Sequence, residues 1–430
     1  MRGKILEQSL VWEMLSAYGR RVRFLSNGVL GQTAEARANA YTFNATLGEA
    51  RENGAGMYLR TIQRKLGAFL PDEIYPYAPP GGLLPLRQTW REKGLRENPM
   101  LSAESIGLPV VCAGLTHGLF LIAALFLDDG DPVVLHDMHW ENYDLIFNHC
   151  YGGHIYEYAT FDNGEFNTAG LREQIMSCPG EKELVVLNFP NNPTGYMPTA
   201  VVAREIADIL REAAEAGKKL VVLCDDAYYG FWYGRDILRE SIFGMVSGIH
   251  PNILAVRLDG ATKEYYAGGL RVGFITYGGQ PPEVLTELER RTMGAIRISI
   301  SSSSHIAQSL LLNCLSDPQV QAELQEKKAV LADRGRLAME RCRRGSQCGL
   351  WTAYPFRAGY FICLRTVVNA EELRQHLLLH YGMGVIALNE WDIRIALPCL
   401  EPAQINTLFD CLDRAIEEVQ VNHRYGGHHG

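Results

Sequence analysis

The chain predicts an α/β fold: a large domain with a central, mostly parallel sheet flanked by helices, joined to a smaller α+β domain. Three observations carry this expectation. Between about residues 108 and 280, short apolar runs alternate with helix-like stretches, the pattern of a parallel sheet covered on both faces. After residue 282 the pattern is largely helical to about 345, and then strands and helices alternate again. At 430 residues the chain is also too long for one core, so about two or three domains are expected.

Composition sets the outer bounds. Apolar residues make up 47% of the sequence and charged residues 21%, the balance of an ordinary globular protein. The 41 basic and 49 acidic side chains leave a net charge of −8 and no long basic run, so no nucleic-acid partner is indicated. Ten cysteines are scattered without a Cys-x-x-Cys pair, which points to reduced thiols and a cytoplasmic protein. Arg2, Lys4, Glu7 and Glu13 break up the N-terminus, which does not read as a signal peptide. The longest apolar run, from Leu119 to Leu127, is far too short to cross a membrane.

Taken in order, Leu6, Leu10, Met14 and Tyr18 recur at fourfold spacing, which predicts one amphipathic helix within 1–25, packed on its own chain or on a neighbour. Phe43 to Glu49 reads as a short extended piece ending at Gly48. Residues 72–87, with Tyr75, Tyr77 and the Pro-Pro-Gly-Gly run at 79–82, read as a loop feeding a helix. Strand-like runs follow at 109–112, 132–135, 184–188, 220–224, 253–258 and 272–277, with helices between most of them, for instance 199–216. A long helix is expected around 318–344, then strands at 360–364 and 393–396 beside helices at 370–381 and 402–419. The serine run 301–304 reads as a tight loop, and the tail from Tyr425 to Gly430 as mobile.

Four positions fall at the carboxyl ends of these strands, the edge where open parallel sheets bind ligands. Ala113-Gly114-Leu115-Thr116-His117 joins a strand to a helix, and small residues with a hydroxyl there suit a phosphate. The bland alternative is an ordinary turn that needs glycine. Asn188-Phe-Pro-Asn-Asn192-Pro193-Thr-Gly195 is a turn stiffened by two prolines, whose amides face a ligand or only hold the turn. Cys224-Asp225-Asp226-Ala227-Tyr228 follows a buried run, where a carboxylate is costly without a cation beside it. Lys263 comes after Leu258-Asp-Gly-Ala-Thr, and Arg271 lies eight residues beyond it. Most lysines at strand ends are surface groups. In apolar surroundings, however, the ammonium is destabilised and the amine becomes a nucleophile.

The Asn-Pro-Thr-Gly turn at 192–195, the Asp-x-Ala-Tyr segment at 225–228 and the Lys263-to-Arg271 spacing, found together in this order, resemble the class I/II aminotransferases, pyridoxal-phosphate enzymes of fold type I. The resemblance spans nearly the whole chain, from about Asn44 to Leu397. It implies that Lys263 holds the cofactor as a Schiff base and then moves the substrate Cα proton. Asp225 would pair with the protonated pyridine nitrogen, Asn192 and Tyr228 with the ring's phenolic oxygen, and Trp140 would stack on the ring. The phosphate would sit on Gly114, Leu115 and Thr116 with Arg271 as counter-charge, and Tyr77 would reach it from the neighbouring subunit of a homodimer. Arg394 is expected to clamp the substrate α-carboxylate, with Gly48, Asn192 and Tyr360 lining that end. Arg297 lies near the position where relatives place a second cation for dicarboxylic substrates, and a surface salt bridge is its ordinary alternative.

The implied reaction moves an α-amino group from an amino acid, aspartate or an aromatic one, to a 2-oxo acid such as 2-oxoglutarate. The implied division is 58–310 for the cofactor-binding domain, with 1–57 and 311–430 forming the small domain and N-terminal arm. One position departs from the pattern: many relatives have a serine three residues before the lysine, and here Gly260 passes that contact to Thr262 or the phosphate loop. The same cofactor and fold also serve β-eliminating lyases and decarboxylases. A non-catalytic sensor domain would share the fold, but no basic helix-turn-helix precedes residue 40. His136, His139, His149 and His154 cluster near Cys150 at spacings that match no zinc pattern, so no metal is expected.

Overall fold

The computed structural model describes residues 9–22, 28–346 and 349–426. Seven strands form the main sheet: β1 (Val110–Cys112), β2 (Pro132–His136), β3 (His154–Tyr158), β4 (Lys182–Asn188), β5 (Lys219–Asp225), β6 (Ile253–Gly260) and β7 (Gly273–Gly278). Their order across the sheet is β1-β7-β6-β5-β4-β2-β3, and β7 alone runs antiparallel to its neighbours. The central strands are continuous apolar runs because helices cover both faces. The helix Ala200–Glu215 shows how: it buries Ala203, Ile206, Ala207, Leu210 and Ala213 along one stripe, and Thr199 caps it by accepting from Val202 N–H.

Register decides where chemistry can gather. Asp225 at the end of β5 stands level with Asn188 on β4 and Leu258 on β6. Running the other way, β7 sets Gly273 opposite Gly260 on one side and Cys112 on the other. The segments leaving β1, β4, β5 and β6, and the one entering β7, therefore meet at a single sheet edge.

A second sheet combines β8 (Trp351–Ala353), β9 (Phe361–Thr366), β10 (Ile386–Ala387) and β11 (Asp392–Ala396) in the order β8-β9-β11-β10, all antiparallel. Helices Pro318–Arg344, Ala370–Tyr381 and Pro402–Gly426 belong to the same half of the chain. The short strand Phe43–Asn44 pairs with Met383–Gly384, and Ala396 N–H donates to the carbonyl of Ala45 at 2.7 Å. These bonds bring residues 45–48 in front of the main sheet's active edge.

Three features differ from the sequence expectation. The N-terminal helix is, within the described residues, two short helices, Leu10–Met14 and Ala17–Arg21. Ser16 breaks the run because its Oγ accepts from Gly19 N–H at 3.0 Å and caps the second piece. Leu10, Met14 and Tyr18 remain exposed, and Leu6 lies outside the described residues. Second, β3 adds a strand; His154 and Glu157 interrupt its apolar run because it sits at the sheet edge. Third, β8 extends the smaller sheet. The end of the C-terminal tail, 427–430, also lies outside the described residues. Among the described residues, no helix is long and apolar enough to cross a membrane.

Candidate active site

At the shared edge lies a cavity of about 210 Å³ whose walls include Thr116, Trp140, Asn192, Asp225, Lys263 and Arg271. A neighbouring hollow of about 440 Å³ shares Lys263 and Arg271 and adds Gly48, Glu49 and Tyr360. Lys263 sits between the two in a short helical turn, Ala261–Glu264, that follows β6 directly. Its Nζ donates to the carbonyl of Gly48 and stands 5.9 Å from the centroid of the Tyr360 ring. Burial draws its pKa down to about 8; Arg271 and Arg394 push the same way, and Glu49 opposes them.

Asp225 is buried on the cavity floor, at 1% exposure. Tyr143 O–H donates to its Oδ2 at 2.8 Å and Ala227 N–H to its Oδ1 at 2.9 Å. Burial lifts its pKa to about 6 against these two hydrogen bonds, and Asp226 adds to the rise. The adjacent Asp226 is different, because Arg257 Nε donates to it at 2.6 Å. Asp225 has no such basic partner among the described residues. Asn188 holds the neighbourhood together: its Nδ2 donates to the Asp225 carbonyl at 3.0 Å and its Oδ1 accepts from Asn192 N–H at 2.8 Å.

The phosphate-type features also converge. Gly114 has φ +81°, and a Cβ there would lie 2.3 Å from Arg271 Nη2, so only glycine lets the arginine lie over the start of helix Leu115–Phe126. Gly260 is held by close approach: a Cβ would lie 2.7 Å from the Val272 carbonyl oxygen and 2.9 Å from Gly273 Cα. No serine fits there without moving backbone. The nearby Thr262 Oγ1, by contrast, is buried on the cavity wall without a hydrogen-bond partner.

Arg394 projects from β11 at 3% exposure. Its Nη1 donates to Asn192 Oδ1 at 3.4 Å and its Nη2 to the Thr46 carbonyl at 3.2 Å, while Nε has no partner. It stacks over Phe361, 4.3 Å from the ring centroid, and burial draws its pKa down. Tyr228, also buried, lines the cavity with its ring 5.2 Å from that of Tyr360.

Two sequence candidates stand apart. Tyr77 is 91% exposed, and Arg297 is exposed on the helix Pro282–Ser299, where it donates to Ser301 Oγ at 3.3 Å. Neither lines the cavity of its own chain. Conversely, Tyr143 and Asn188 line it although sequence reasoning assigned neither a role: Asn188 entered only as the first residue of its turn, and Tyr143 follows Trp140 by three residues, which was the available signal. Of the histidine cluster, His139 is already engaged, its Nδ1 with the His136 carbonyl at 2.8 Å and its Nε2 with Asp144 at 2.9 Å.

Comparison with known proteins identifies the family. The profile of the family described as aminotransferase class I and II matches residues 64–412. The aspartate/prephenate aminotransferase of Thermus thermophilus is 28% identical over 318 residues, 72% of this chain and 74% of that protein. A histidinol-phosphate aminotransferase of Dehalococcoides mccartyi is 27% identical over 332 residues, covering 76% and 78% of the two chains. In fold, the crystal structure of an aminotransferase from Anaerococcus prevotii superposes with a TM-score of 0.82 over 93% of this chain and 98% of that one, at 23% identity. The chain belongs to the class I and II aminotransferases, and with them it is a pyridoxal-phosphate-dependent enzyme of fold type I.

Proposed function

We propose that Lys263, Asp225 and Arg394 divide the work of transamination between them, with the cofactor held in the cavity that the first two line. The residues fit pyridoxal phosphate on three counts. Asp225 is a buried carboxylate without a cation, as a protonated ring nitrogen requires. The start of helix Leu115–Phe126, the free Thr262 hydroxyl and Arg271 together suit a phosphate dianion. Lys263 has its pKa drawn down to about 8, so roughly a tenth is neutral amine at pH 7, far more than for an ordinary lysine. When bound, the cofactor supplies an aldehyde that condenses with amines and a ring that accepts the electron pair left at the substrate Cα.

The protein's own residues do the rest. Lys263 would take the proton from the substrate Cα and hold it at Nζ for return. Asp225 would keep the ring nitrogen protonated, and Asn192 and Tyr228 would bind the ring oxygen. Trp140 would cover the ring, and Gly114, Leu115 and Thr116 would hold the phosphate. Arg394 binds the substrate α-carboxylate, with Gly48 and Tyr360 closing that end. The amino group of an amino acid thus passes to a 2-oxo acid such as 2-oxoglutarate.

The exposure of Tyr77 supports a homodimer in which it serves the neighbour's cavity; Arg297, exposed and bonded to Ser301, stays a candidate second cation for a dicarboxylic substrate. The relatives' names put aspartate in the donor panel, and the sequence resemblance adds aromatic amino acids. The observation that carries the proposal is the placement of a pKa-lowered lysine, an unpaired buried aspartate and an unpaired buried arginine around adjoining hollows. Incubation with amino donors, with and without an oxo acid, tests it: donor alone should convert bound aldehyde to the amine form. Pyruvate and ammonia released without any acceptor would instead mean β-elimination.

A further inference from the structure

Trp140 and Asn192 line the cofactor cavity and also a separate hollow of about 270 Å³, which Arg394 borders. One wall of this hollow is neutral. Its polar groups are satisfied within the chain: Gln32 Nε2 donates to the Ala387 carbonyl and Gln32 Oε1 accepts from Ala387 N–H, both at 2.9 Å. Asn389 Nδ2 donates to Asp392, and its Oδ1 accepts two backbone N–H groups.

The opposite wall is acidic, with Asp137, Glu141 and Asp144. Asp137 Oδ1 accepts from Thr160, and Asp144 meets His139 Nε2 at 2.9 Å. Glu141 differs from both. Among the described residues its side chain accepts only from Val29 N–H at 3.4 Å and forms no ion pair, attracting Arg394 only at a distance. Apart from His139, Arg394 is the only basic side chain lining the hollow among the described residues.

The buried Arg394 guanidinium also borders the hollow, with an unpartnered Nε and no hydrogen-bonded carboxylate; Glu141 attracts it only at a distance. It calls for an anion, which on the reading given above is the substrate α-carboxylate. Once that anion is bound, the wall beyond it carries three carboxylates against one imidazole. An anionic side chain there meets like charge, a neutral one gains only apolar contact with groups such as Val29, Met138 and Leu388, and a cationic one meets Glu141 as well.

We propose that this hollow is the side-chain subsite of the amino donor, that Glu141 sets its preference, and that the donor is an α-amino acid with a cationic side chain. The proposal rests on Arg394 as the α-carboxylate clamp. Its test uses the holoenzyme and follows conversion of the bound aldehyde to the amine form with L-lysine, its uncharged analogue L-norleucine, L-aspartate and L-phenylalanine. L-lysine should exceed L-norleucine by about tenfold or more in apparent second-order rate constant. Glu141→Gln should bring that ratio towards unity, and Glu141→Asp should retain part of it. Three results would overturn the proposal: norleucine matching lysine, aspartate leading the panel, or a ratio indifferent to Glu141→Gln. Conversion by norleucine or phenylalanine without any charge preference removes this inference alone, whereas no conversion by any donor removes the transamination reading beneath it.

Discussion

Asp225 shows how one side chain trades stability for binding. Its pKa in the folded protein is raised to about 6, so the neutral form is the favoured one. Its contribution to stability is therefore full below the ordinary carboxylate pKa and is lost as pH rises through about 6. Asp225→Asn should accordingly raise the melting temperature of the cofactor-free protein near neutral pH. That gain should shrink on moving to about pH 4, where the wild-type carboxyl is also largely protonated. The same substitution should weaken cofactor affinity roughly 10- to 100-fold, because a charged hydrogen bond to the ring nitrogen is replaced by a neutral one. Thermal melts at the two pH values and a cofactor titration check both halves. Lys263→Ala should cut turnover by about 10²–10⁴-fold or more, the span ascribed to a positioned acid–base group. Asp225 could be singled out in the sequence because it ends an apolar run. Its missing cation could not, since that depends on which side chains other strands bring near.

At the scale of elements, the strand end before Lys263 is shaped by the crossing of β6 and β7. Gly260→Ser places a side chain against the Val272 carbonyl and the Gly273 backbone, and should cost about 1–3 kcal/mol in urea unfolding. Thr262→Val should do the reverse. It removes a buried hydroxyl without a partner, so the cofactor-free protein keeps or gains stability while its affinity for the phosphate-bearing cofactor falls. Central strands β4, β5 and β6 were legible as apolar runs because both faces of the sheet are covered. Strand β3 was not, because an edge strand tolerates His154 and Glu157. The N-terminal periodicity misled because a local cap at Ser16 outweighs fourfold spacing in a segment with no buried face. The requirement for Gly260 was also hidden, since it comes from a backbone approaching from another strand.

For the whole molecule, the sequence placed Lys263, Asp225, Asn192, Tyr228 and Trp140 close enough in motif to suggest one site, and the sheet edge brings them to one cavity. Tyr77 and Arg297 are what a single chain leaves unexplained, for both are exposed and neither lines that cavity. If Tyr77 serves the neighbour, chains carrying Tyr77→Ala and chains carrying Lys263→Ala should complement each other. Mixed at equal amounts and allowed to exchange subunits, they should regain up to about one quarter of wild-type activity at limiting cofactor, because each heterodimer has one intact site. Absence of recovery in verified heterodimers would place Tyr77 outside the site.

The covalent role of Lys263 is tested most directly by reducing the cofactor-saturated protein with borohydride and mapping the modified peptide by mass spectrometry. The account predicts one pyridoxyl adduct per chain, on Lys263, and none there in Lys263→Ala. A stable adduct on another lysine, or saturated protein that yields no adduct at all, would contradict it.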